Sequence, residues 1–406
     1  MPRNDHRGLG SAATKFSGCE NDALLDAARQ VATVAEAHAC EVDAAARFPH
    51  EAVDAMRDAK LLSAQIPREH GGGGCSMSTL ARICLEVAAG CGSSGLVLAM
   101  HYSQLACLVR HGMASGFFQR YLRDQVEQQH LIASITSEVG TYGDTHSSIC
   151  ALEPTSEGGF RLDKEATTGS YCAYADAIAV TCRRDPQAPR NDQVLVLLQK
   201  RDYELTATSN WDTLGMRGTC SPGFRLRAQA RRQQIVPVSF ADCSGQSMVP
   251  YSHVLWAAVW CGIAQAAAAK AGRCVRAAAR KQVGSVPPSA ARLAALATTL
   301  QAMSGNLFSV AKEFDEVDDS ANGRAALMSM EWSLKLNNLK ISTSNAAPGA
   351  VHQALQITGV SGYRNDSPAS VGRHYRDALS ASLMISNDRI MEQSASMLLV
   401  LKNDRF

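Results

Sequence analysis

Acidic side chains that could accept a proton from a substrate are scarce in the C-terminal part of this sequence. The stretch RHYRDALSASLMISNDRI (residues 373–390) contains no Glu, and its only acid after Asp377 is Asp388. The segment between Cys243 and Lys312 contains neither Asp nor Glu. A positioned base speeds the removal of a weakly acidic proton by orders of magnitude, so any proton-transfer chemistry here needs another type of side chain or another location.

Two histidines are candidates for such a base. His101 lies in the stretch AMHYSQ, and His253 lies in YSHVLW. A histidine has a pKa near neutral, which suits proton transfer at physiological pH. The alternative for both residues is a histidine that packs on a helix face and bonds to the backbone.

Three arginines in the acid-free segment follow a helical spacing. Arg273, Arg276 and Arg280 are separated by three and then four residues, which places them on one face of a helix. One interpretation is a solvated basic stripe. The other is a docking site for an acidic acyl-carrier protein or for the phosphates of coenzyme A.

Length and composition indicate a soluble globular chain. A length of 406 residues predicts two or three domains or one large composite. A formal net charge of +2 gives no reason to expect nucleic acid or a membrane surface as a partner. The 13 cysteines are scattered singly, so we expect no metal site and a reducing, cytoplasmic location.

The N-terminal stretch MPRNDHRGLGSAATKFSG is polar and lacks the apolar core of a signal peptide. Its Gly and Ser content predicts disorder over residues 1–20. Apolar runs elsewhere are shorter than the roughly 20 residues that a membrane span needs, so we expect no span.

The order of predicted elements is helical, then β, then helical. Over residues 21–128 apolar side chains recur at spacings of three and four, which predicts amphipathic helices. Residues 129–242 contain short β-rich segments such as HLIASITSE and QVLVLLQK, separated by turn-forming residues. Residues 243–406 are again helical. This predicts an α+β chain with a β domain between two helical domains.

Six stretches in this order resemble motifs of the acyl-CoA dehydrogenase family of flavoproteins. They are LLSAQIPREHGGGG, ITSEVGTYGD, WDTLGMRGTCS, AARKQVG, ALQITGVSGY and RHYRDA. The resemblance spans about residues 21–402. It implies an N-terminal α-helical domain, a middle β-barrel domain and a C-terminal four-helix bundle.

The resemblance also implies an FAD cofactor and places residues around its flavin ring. Ser137 would lie at the pyrimidine edge and Ser170 at the N5 side. The backbone amides from Gly140 to Gly143 would face the ring and the thioester. Asn387 is counted with these cofactor-binding residues.

Further family positions imply an oligomer. Arg280 matches the residue that reaches the FAD of a neighbouring subunit, and Gln356 and Gly359 would approach the same dinucleotide. Arginine and closely approaching backbone suit a pyrophosphate. We therefore expect a homo-oligomer, a dimer or a dimer of dimers.

The sequence departs from the family at the catalytic base. The family's Glu lies nine residues after the Arg of R-D-A, and counting from Arg376 gives Ile385, which cannot accept a proton. A minority of the family holds the carboxylate at a position that matches about Ser252. Asp388 lies three residues past the usual place and should point elsewhere on the helix.

Three hypotheses remain for the function. The first is oxidation of the CH–CH group of an acyl thioester, carried by CoA or a carrier protein, with electron-transfer flavoprotein or O2 as acceptor. Its base would be His101, or an activated substrate would need none, while the Ile385 N–H polarises the thioester carbonyl. The N5-side and RHYRDA motifs resemble dehydrogenases more closely, so this is the first expectation.

The second hypothesis is a monooxygenase on the same fold that uses reduced flavin and O2. It needs an apolar pocket with one or two hydrogen-bond donors, for which His101 and Ser170 are candidates. The third hypothesis is a non-catalytic scaffold or regulatory protein.

Overall fold

Helices at both ends of the chain enclose a region of short strands in the computed structural model, which describes residues 12–281, 284–320 and 322–401. The N-terminal helices are α1 (Ala12–Ala45), α2 (His50–Asp58), α3 (Met77–Gly90), α4 (Gly92–His111) and α5 (Gly116–Gln128). The strands are β1 (Ile132–Ile135), β2 (Glu153–Pro154), β3 (Gly159–Ala166), β4 (Ala177–Arg183), β5 (Gln193–Gln199), β6 (Tyr203–Ala207) and β7 (Phe224–Arg231). The later helices are α6 (Phe240–Cys243), α7 (Val249–Lys281), α8 (Ser289–Asp318), α9 (Gly323–Ala326), α10 (Met330–Thr358), α11 (Val360–Tyr363), α12 (Gly372–Leu379) and α13 (Asn387–Val400). This order confirms the predicted α+β fold class.

Helix α1 begins earlier than the sequence indicated. It starts at Ala12, so residues 12–20, which we expected to be disordered, form its first turns. The sequence AATKF at this point contains no Gly or Pro, and alanine has the highest helix propensity. Residues 1–11 of the expected tail lie outside the described residues.

The middle domain consists of two small sheets, where we expected a β-barrel. One sheet has the order β1-β4-β5, and the other has the order β2-β3-β7-β6. Within the described residues no strand belongs to both sheets, so the barrel is not closed. Helices α4 and α6 pack against the outer strands β1 and β5 of the first sheet, which protects those strands without barrel closure.

Helix α7 is the central element of the C-terminal domain. It packs against α8 and α10, and α13 packs on α10, which completes the expected bundle. It also packs against α3 and so joins the two helical domains. The stretch Phe240–Lys281 is long and apolar enough for a membrane span by length and composition alone, but 78% of its most apolar window is buried within the protein. Such burial is the pattern of a core helix.

A glycine permits the close approach of α7 to α3. A Cβ atom on Gly262 would overlap the carbonyl oxygen of Leu85 and would lie 3.0 Å from the Cβ of Ala88. Backbone atoms of a packed helix cannot move aside cheaply, because interiors are close to crystal density. A Cβ atom on Gly305 of α8 would instead point into open space.

These two glycines give a matched test of the α3–α7 packing. Gly262→Ala should lower the free energy of unfolding by about 1–3 kcal/mol, because the added methyl group overpacks the interface. Gly305→Ala should raise it by about 0.5–1 kcal/mol, because alanine is the better residue in a helix interior. Urea denaturation of both variants measures the difference. A neutral Gly262→Ala variant would contradict the close packing.

Candidate active site

A cavity of about 530 Å³ lies where helix α4, loops of the middle domain, helix α7 and the end of helix α12 meet. Its volume is in the usual range for small-molecule sites, roughly 300–1,000 Å³. Apolar side chains and Ser and Thr hydroxyl groups line it, together with one charged side chain, that of Arg376. Among its described lining residues there is no Asp, Glu, His or Lys.

The loop between strands β6 and β7 forms one wall of this cavity, and helix α12 holds that loop in place. The Asp377 Oδ1 atom accepts a hydrogen bond of 2.6 Å from the Met216 N–H. Arg376 Nη1 donates to the carbonyl oxygen of Leu214 at 2.9 Å. The Arg-Asp pair of the RHYRDA stretch therefore positions the cavity wall.

Arg376 is itself fixed by a contact to the N-terminal domain. Its two Nη atoms bond to the two carboxylate oxygens of Asp43 on helix α1, with Nη1 2.9 Å from Oδ1. This bidentate geometry is a strong form of ion pair. Gly215 packs so closely on the Arg376 carbonyl group that a Cβ atom would overlap it. Because the Asp43 carboxylate pairs with it, the charge of Arg376 is neutralised at the cavity edge.

A chain of hydroxyl groups runs along the middle-domain side of the cavity. The Thr219 and Ser221 hydroxyl oxygens lie 2.8 Å apart, and the Ser221 hydroxyl donates to the Ser170 oxygen at 2.8 Å. Because the Ser170 oxygen accepts this bond, its own hydrogen is available to a group in the cavity. Ser170 thus lies at the cavity, and its role at the flavin stays a prediction.

The opposite walls are apolar. Leu96 and Met100, one helical turn apart on α4, line the cavity together with Trp256 of α7. The Trp256 residue is 8% exposed, and its Nε1–H has no hydrogen-bond partner among the described residues. A buried indole N–H normally has a partner, but this Nε1 atom has almost no exposed surface and therefore does not face the open cavity.

Ile385 lies at the cavity in a strained backbone conformation. Its φ angle is +47°, a region that β-branched residues rarely adopt. The buried Lys340 ammonium donates to the Ile385 carbonyl oxygen at 2.7 Å and to that of Ala381 at 3.2 Å. Burial lowers the pKa of Lys340 to about 8. The Ile385 side chain therefore occupies the wall where the family resemblance placed a carboxylate.

Asn387 has structural contacts that compete with the predicted cofactor role. Its side-chain oxygen accepts from Lys340 Nζ at 2.6 Å, and its Nδ2 donates to Ser344 Oγ and Asn345 Oδ1 at 3.0 Å each. The residue is 7% exposed and does not line the cavity. Its donors and acceptors hold the start of α13 on α10, and its contact with the cofactor stays a prediction.

His101 is not placed to act as a base. Its ring is fully buried, and Nδ1 accepts a hydrogen bond of 3.0 Å from the Ile132 N–H. Nε2 lies 2.8 Å from the Leu62 carbonyl oxygen and therefore carries the proton. Burial lowers the pKa of His101 to about 4. Both nitrogens are used to join α4 to its neighbours, which counts against the predicted catalytic role of His101.

The other candidate bases also lie away from the cavity. Burial lowers the pKa of His253 to about 4, and its Nδ1 bonds the Val249 carbonyl oxygen at 3.0 Å. Ser252 bonds the same carbonyl group at 3.0 Å. Asp388 is exposed in the first turn of α13. None of the three lines the cavity.

The predicted flavin loop forms tight turns beside the middle domain. Gly140 and Gly143 have φ angles of +87° and +79°, which glycine adopts without strain. Arg389 donates to the carbonyl oxygen of Gly143, which ties the loop to α13. Ser137 donates to the Thr168 carbonyl oxygen at 2.8 Å, so it lies beside a residue that lines the cavity. The cofactor contacts of these residues remain predictions.

Three further predicted cofactor residues lie at the far ends of their helices. Arg280 is exposed near the C-terminal end of α7, and Gln356 is exposed near the end of α10, where it bonds His352. Gly359 ends α10 with a φ angle of +60°. These residues do not line the cavity of their own chain.

The sequence did not single out several residues that build the cavity. Trp256 lies one helical turn after Ser252, the position examined for an alternative base. The stretch WDTLGMRGTCS contributes Trp211, Thr219 and Ser221 to the cavity. From the sequence alone this stretch is only a family motif, and these three residues have no individual roles. Within the described ranges no group of three His, Cys, Asp or Glu side chains could hold a metal ion.

The chain matches two family descriptions over most of its length. They are "Acyl-CoA dehydrogenase, N-terminal domain" over residues 19–127 and "Acyl-CoA dehydrogenase, C-terminal domain" over residues 246–392. The chain therefore belongs to the acyl-CoA dehydrogenase family of flavin-binding oxidoreductases, as the sequence predicted.

Individual relatives differ in their activities. The chain is 25% identical over 377 residues to the amino sugar nitrososynthase DnmZ of Streptomyces peucetius. The aligned region covers 89% of this chain and 88% of that protein. It is 27% identical over 373 residues to the probable acyl-CoA dehydrogenase YngJ of Bacillus subtilis, covering 84% and 87%. The crystal structure of dibenzothiophene monooxygenase (TdsC) from Paenibacillus sp. A11-2 superimposes with a TM-score of 0.78 at 21% identity, covering 93% and 97%.

Substitution of His101 tests its structural role. His101→Leu leaves the buried Ile132 N–H without an acceptor and should lower the free energy of unfolding by roughly 1–3 kcal/mol. His101→Asn retains an acceptor near the Nδ1 position, so its free energy of unfolding should fall by less than that of His101→Leu. Urea denaturation measures both values, and equal stability of the Leu variant and the unsubstituted protein would contradict the assignment.

The buried neutral histidines predict a loss of stability in acid. The unfolded chain takes up protons near pH 6.5, whereas folded His101 and His253 do so near pH 4. The free energy of unfolding should therefore fall as pH drops from about 6.5 to about 4, by up to roughly 3 kcal/mol for each histidine. His101→Asn should show a shallower fall in urea denaturation across this range. An unchanged pH slope would show that His101 is not held neutral.

Proposed function

We propose that this chain is a flavin-dependent monooxygenase, which uses reduced flavin and O2 to hydroxylate the amine nitrogen of a small substrate. The observation that carries this proposal is the absence of any carboxylate, imidazole or ammonium group among the described residues that line the cavity. This favours the second of the sequence-based hypotheses over acyl-thioester oxidation.

Desaturation of a thioester fits the cavity poorly. The α-proton is weakly acidic, so its removal needs a positioned base whose pKa suits the operating pH. Ile385 offers no such group, and His101 and His253 are bonded to the backbone away from the cavity. Serine and threonine hydroxyls are far weaker bases than a carboxylate. The one lining charge, Arg376, is paired with Asp43 and accepts no proton.

Oxygenation of an amine requires no base of this kind, because the neutral nitrogen supplies its own electron pair. A bound reduced flavin supplies two electrons to O2, so that one oxygen atom enters an N–O bond and the other leaves as water. The apolar side chains of Leu96, Met100 and Trp256 exclude water from this reaction. The Ser170 hydroxyl donates a hydrogen bond into the same space. The amino sugar named for the nitrososynthase relative supports an amine as the substrate class.

The residues of the cavity fit a flavin ring. The Ser170 hydroxyl hydrogen is used by no described residue, and a flavin offers nitrogen and carbonyl acceptors. We propose FAD as its form, with Arg280, Gln356 and Gly359 serving the site of a neighbouring subunit. Val360 and Tyr363, 75% and 77% exposed beside Gly359, give this end of the molecule apolar surface for such an assembly.

Single-turnover oxygenation tests the proposal. Protein loaded with flavin should be reduced chemically without air, mixed with a primary amino sugar and exposed to 18O2. We expect an N-hydroxylated product that carries one 18O atom. The same loaded protein should stay oxidised when acyl-CoA thioesters are added without air. Rapid bleaching of the flavin by a thioester, with no labelled amine product, would contradict the proposal.

The Ser170 hydroxyl offers a sharper test of the site. Ser170→Ala should lower the yield of hydroxylated product per reduced flavin about tenfold or more, because a donor aimed at the reacting groups is lost. Ser252→Ala is the control, since Ser252 is buried on α7 and bonds the backbone outside the cavity. Equal yields from the two variants would show that Ser170 has no part in the reaction.

A further inference from the structure

A buried ion pair lies at the base of the loop of residues 139–147, which contains the turns at Gly140 and Gly143. The Glu138 Oε2 and Lys164 Nζ atoms are 3.7 Å apart, and the two residues are 5% and 1% exposed. Burial opposes the charge of Glu138, but the positive charge of Lys164 and hydrogen bonds to the carboxylate lower the pKa of Glu138. Neither residue lines the cavity. Buried ion pairs add little net stability over packed apolar side chains, so stability alone does not account for this pair.

Lys164 interrupts the apolar inward face of strand β3. Leu162 and Ala166, its neighbours on that face, are buried apolar residues. The Lys164 ammonium group donates to the Thr181 carbonyl oxygen at 2.6 Å and to the Thr181 hydroxyl oxygen at 3.2 Å. Among the described residues, Glu138 supplies the carboxylate that balances its charge. Because Thr181 belongs to β4, the ammonium group joins the two sheets of the middle domain and holds Glu138 between them.

The Glu138 carboxylate closes the loop 139–147. Its Oε2 atom accepts hydrogen bonds from the Ser148 hydroxyl group at 2.6 Å and from the Ile149 N–H at 3.0 Å. Its Oε1 atom accepts from the Cys150 N–H at 2.6 Å. Hydrogen bonds to a charged acceptor are stronger than those between neutral groups. The carboxylate at the start of the loop therefore binds the chain at the end of the loop.

The residue before Glu138 lies beside the cavity. The Ser137 hydroxyl group donates to the Thr168 carbonyl oxygen at 2.8 Å, and the Thr168 N–H donates to the Ser137 hydroxyl oxygen at 3.2 Å. Thr168 lines the cavity. Because Ser137 and Glu138 are consecutive, the bonds of the Glu138 carboxylate restrict where Ser137 and the following turns can lie. The buried pair therefore acts on the cavity side without lining the cavity.

We propose that Glu138, held by Lys164, is the positioning residue for the flavin at this site. The carboxylate closes the loop 139–147, so that Ser137 and the backbone amides from Gly140 to Gly143 are held beside the cavity. The inference rests on the flavin that the proposed function assigns to the cavity. It does not depend on which reaction that flavin performs.

Flavin binding to the flavin-free full-length chain, measured by isothermal titration, tests this role. The probes are oxidised FAD and oxidised FMN, which share the same ring. Glu138→Gln leaves the Ser148 and Ile149 donors facing an amide group. The Kd for the more tightly bound flavin should therefore rise about tenfold, the size of one charge-assisted hydrogen bond. Hydrogen–deuterium exchange in peptides that contain Ile149 and Cys150 should also become faster in this variant without flavin.

A double variant separates positioning from a purely structural role. Glu138→Gln leaves the Lys164 ammonium group buried without its carboxylate and should lower the urea midpoint of unfolding. Glu138→Gln combined with Lys164→Met removes the lone charge as well, so the urea midpoint should recover while the Kd for flavin stays raised. If Glu138→Gln alone does not fold, the double variant still gives the comparison of Kd with the unsubstituted protein.

Glu165→Gln is the matched control, because Glu165 follows Lys164 on β3 and is exposed. Its Kd for flavin and its urea midpoint should equal those of the unsubstituted protein. An unchanged Kd in Glu138→Gln, a Kd that recovers together with the urea midpoint, or no saturable flavin binding by the unsubstituted protein would overturn the inference. Failure to hydroxylate an amine, together with the expected Kd values, would support the inference and contradict the proposed function.

Discussion

The docking of helix α12 on the β6–β7 loop is the contact on which the candidate site depends. A fully buried carboxylate, that of Asp377, accepts the Met216 N–H, and Arg373 lies 3.8 Å away on the same helix. Burial raises the pKa of Asp377, so the loop and the nearby arginine supply the interactions that offset its desolvation. Through this side chain and the bond from Arg376 to the Leu214 carbonyl oxygen, the C-terminal helices set the position of a middle-domain loop and thereby the shape of the cavity.

The same contact explains why the family's R-D-A sequence is compatible with a lost base. Arg376 and Asp377 position the loop that forms one wall of the cavity. The position that the resemblance gave to the proton acceptor lies after the end of α12, where this chain has Ile385 at a φ angle of +47°. The Lys340 ammonium group fixes the backbone there by donating to the Ile385 carbonyl oxygen. The scaffold can therefore remain intact while the side chain at its edge changes from a carboxylate to an aliphatic group.

Much of this organisation could be read from local sequence patterns. Helical periodicity and β-rich segments gave the order of domains, and counting from Arg376 placed Ile385 at the cavity. Local patterns do not reveal contacts between distant segments. Nothing near His101 shows that the Ile132 N–H and the Leu62 carbonyl group, 31 and 39 residues away, occupy its ring nitrogens. Whether strands close into a barrel likewise depends on helices packed against the outer strands, which no strand sequence contains.

We propose that no described group at the cavity removes the α-proton of a bound thioester. Exchange of that proton with solvent measures this directly. Protein loaded with oxidised flavin should be incubated with acyl-CoA thioesters in D2O without an electron acceptor, and deuterium at the α-carbon followed by mass spectrometry. We expect no exchange above the uncatalysed rate for the unsubstituted protein and measurable exchange for Ile385→Glu. Catalysed exchange by the unsubstituted protein would contradict it.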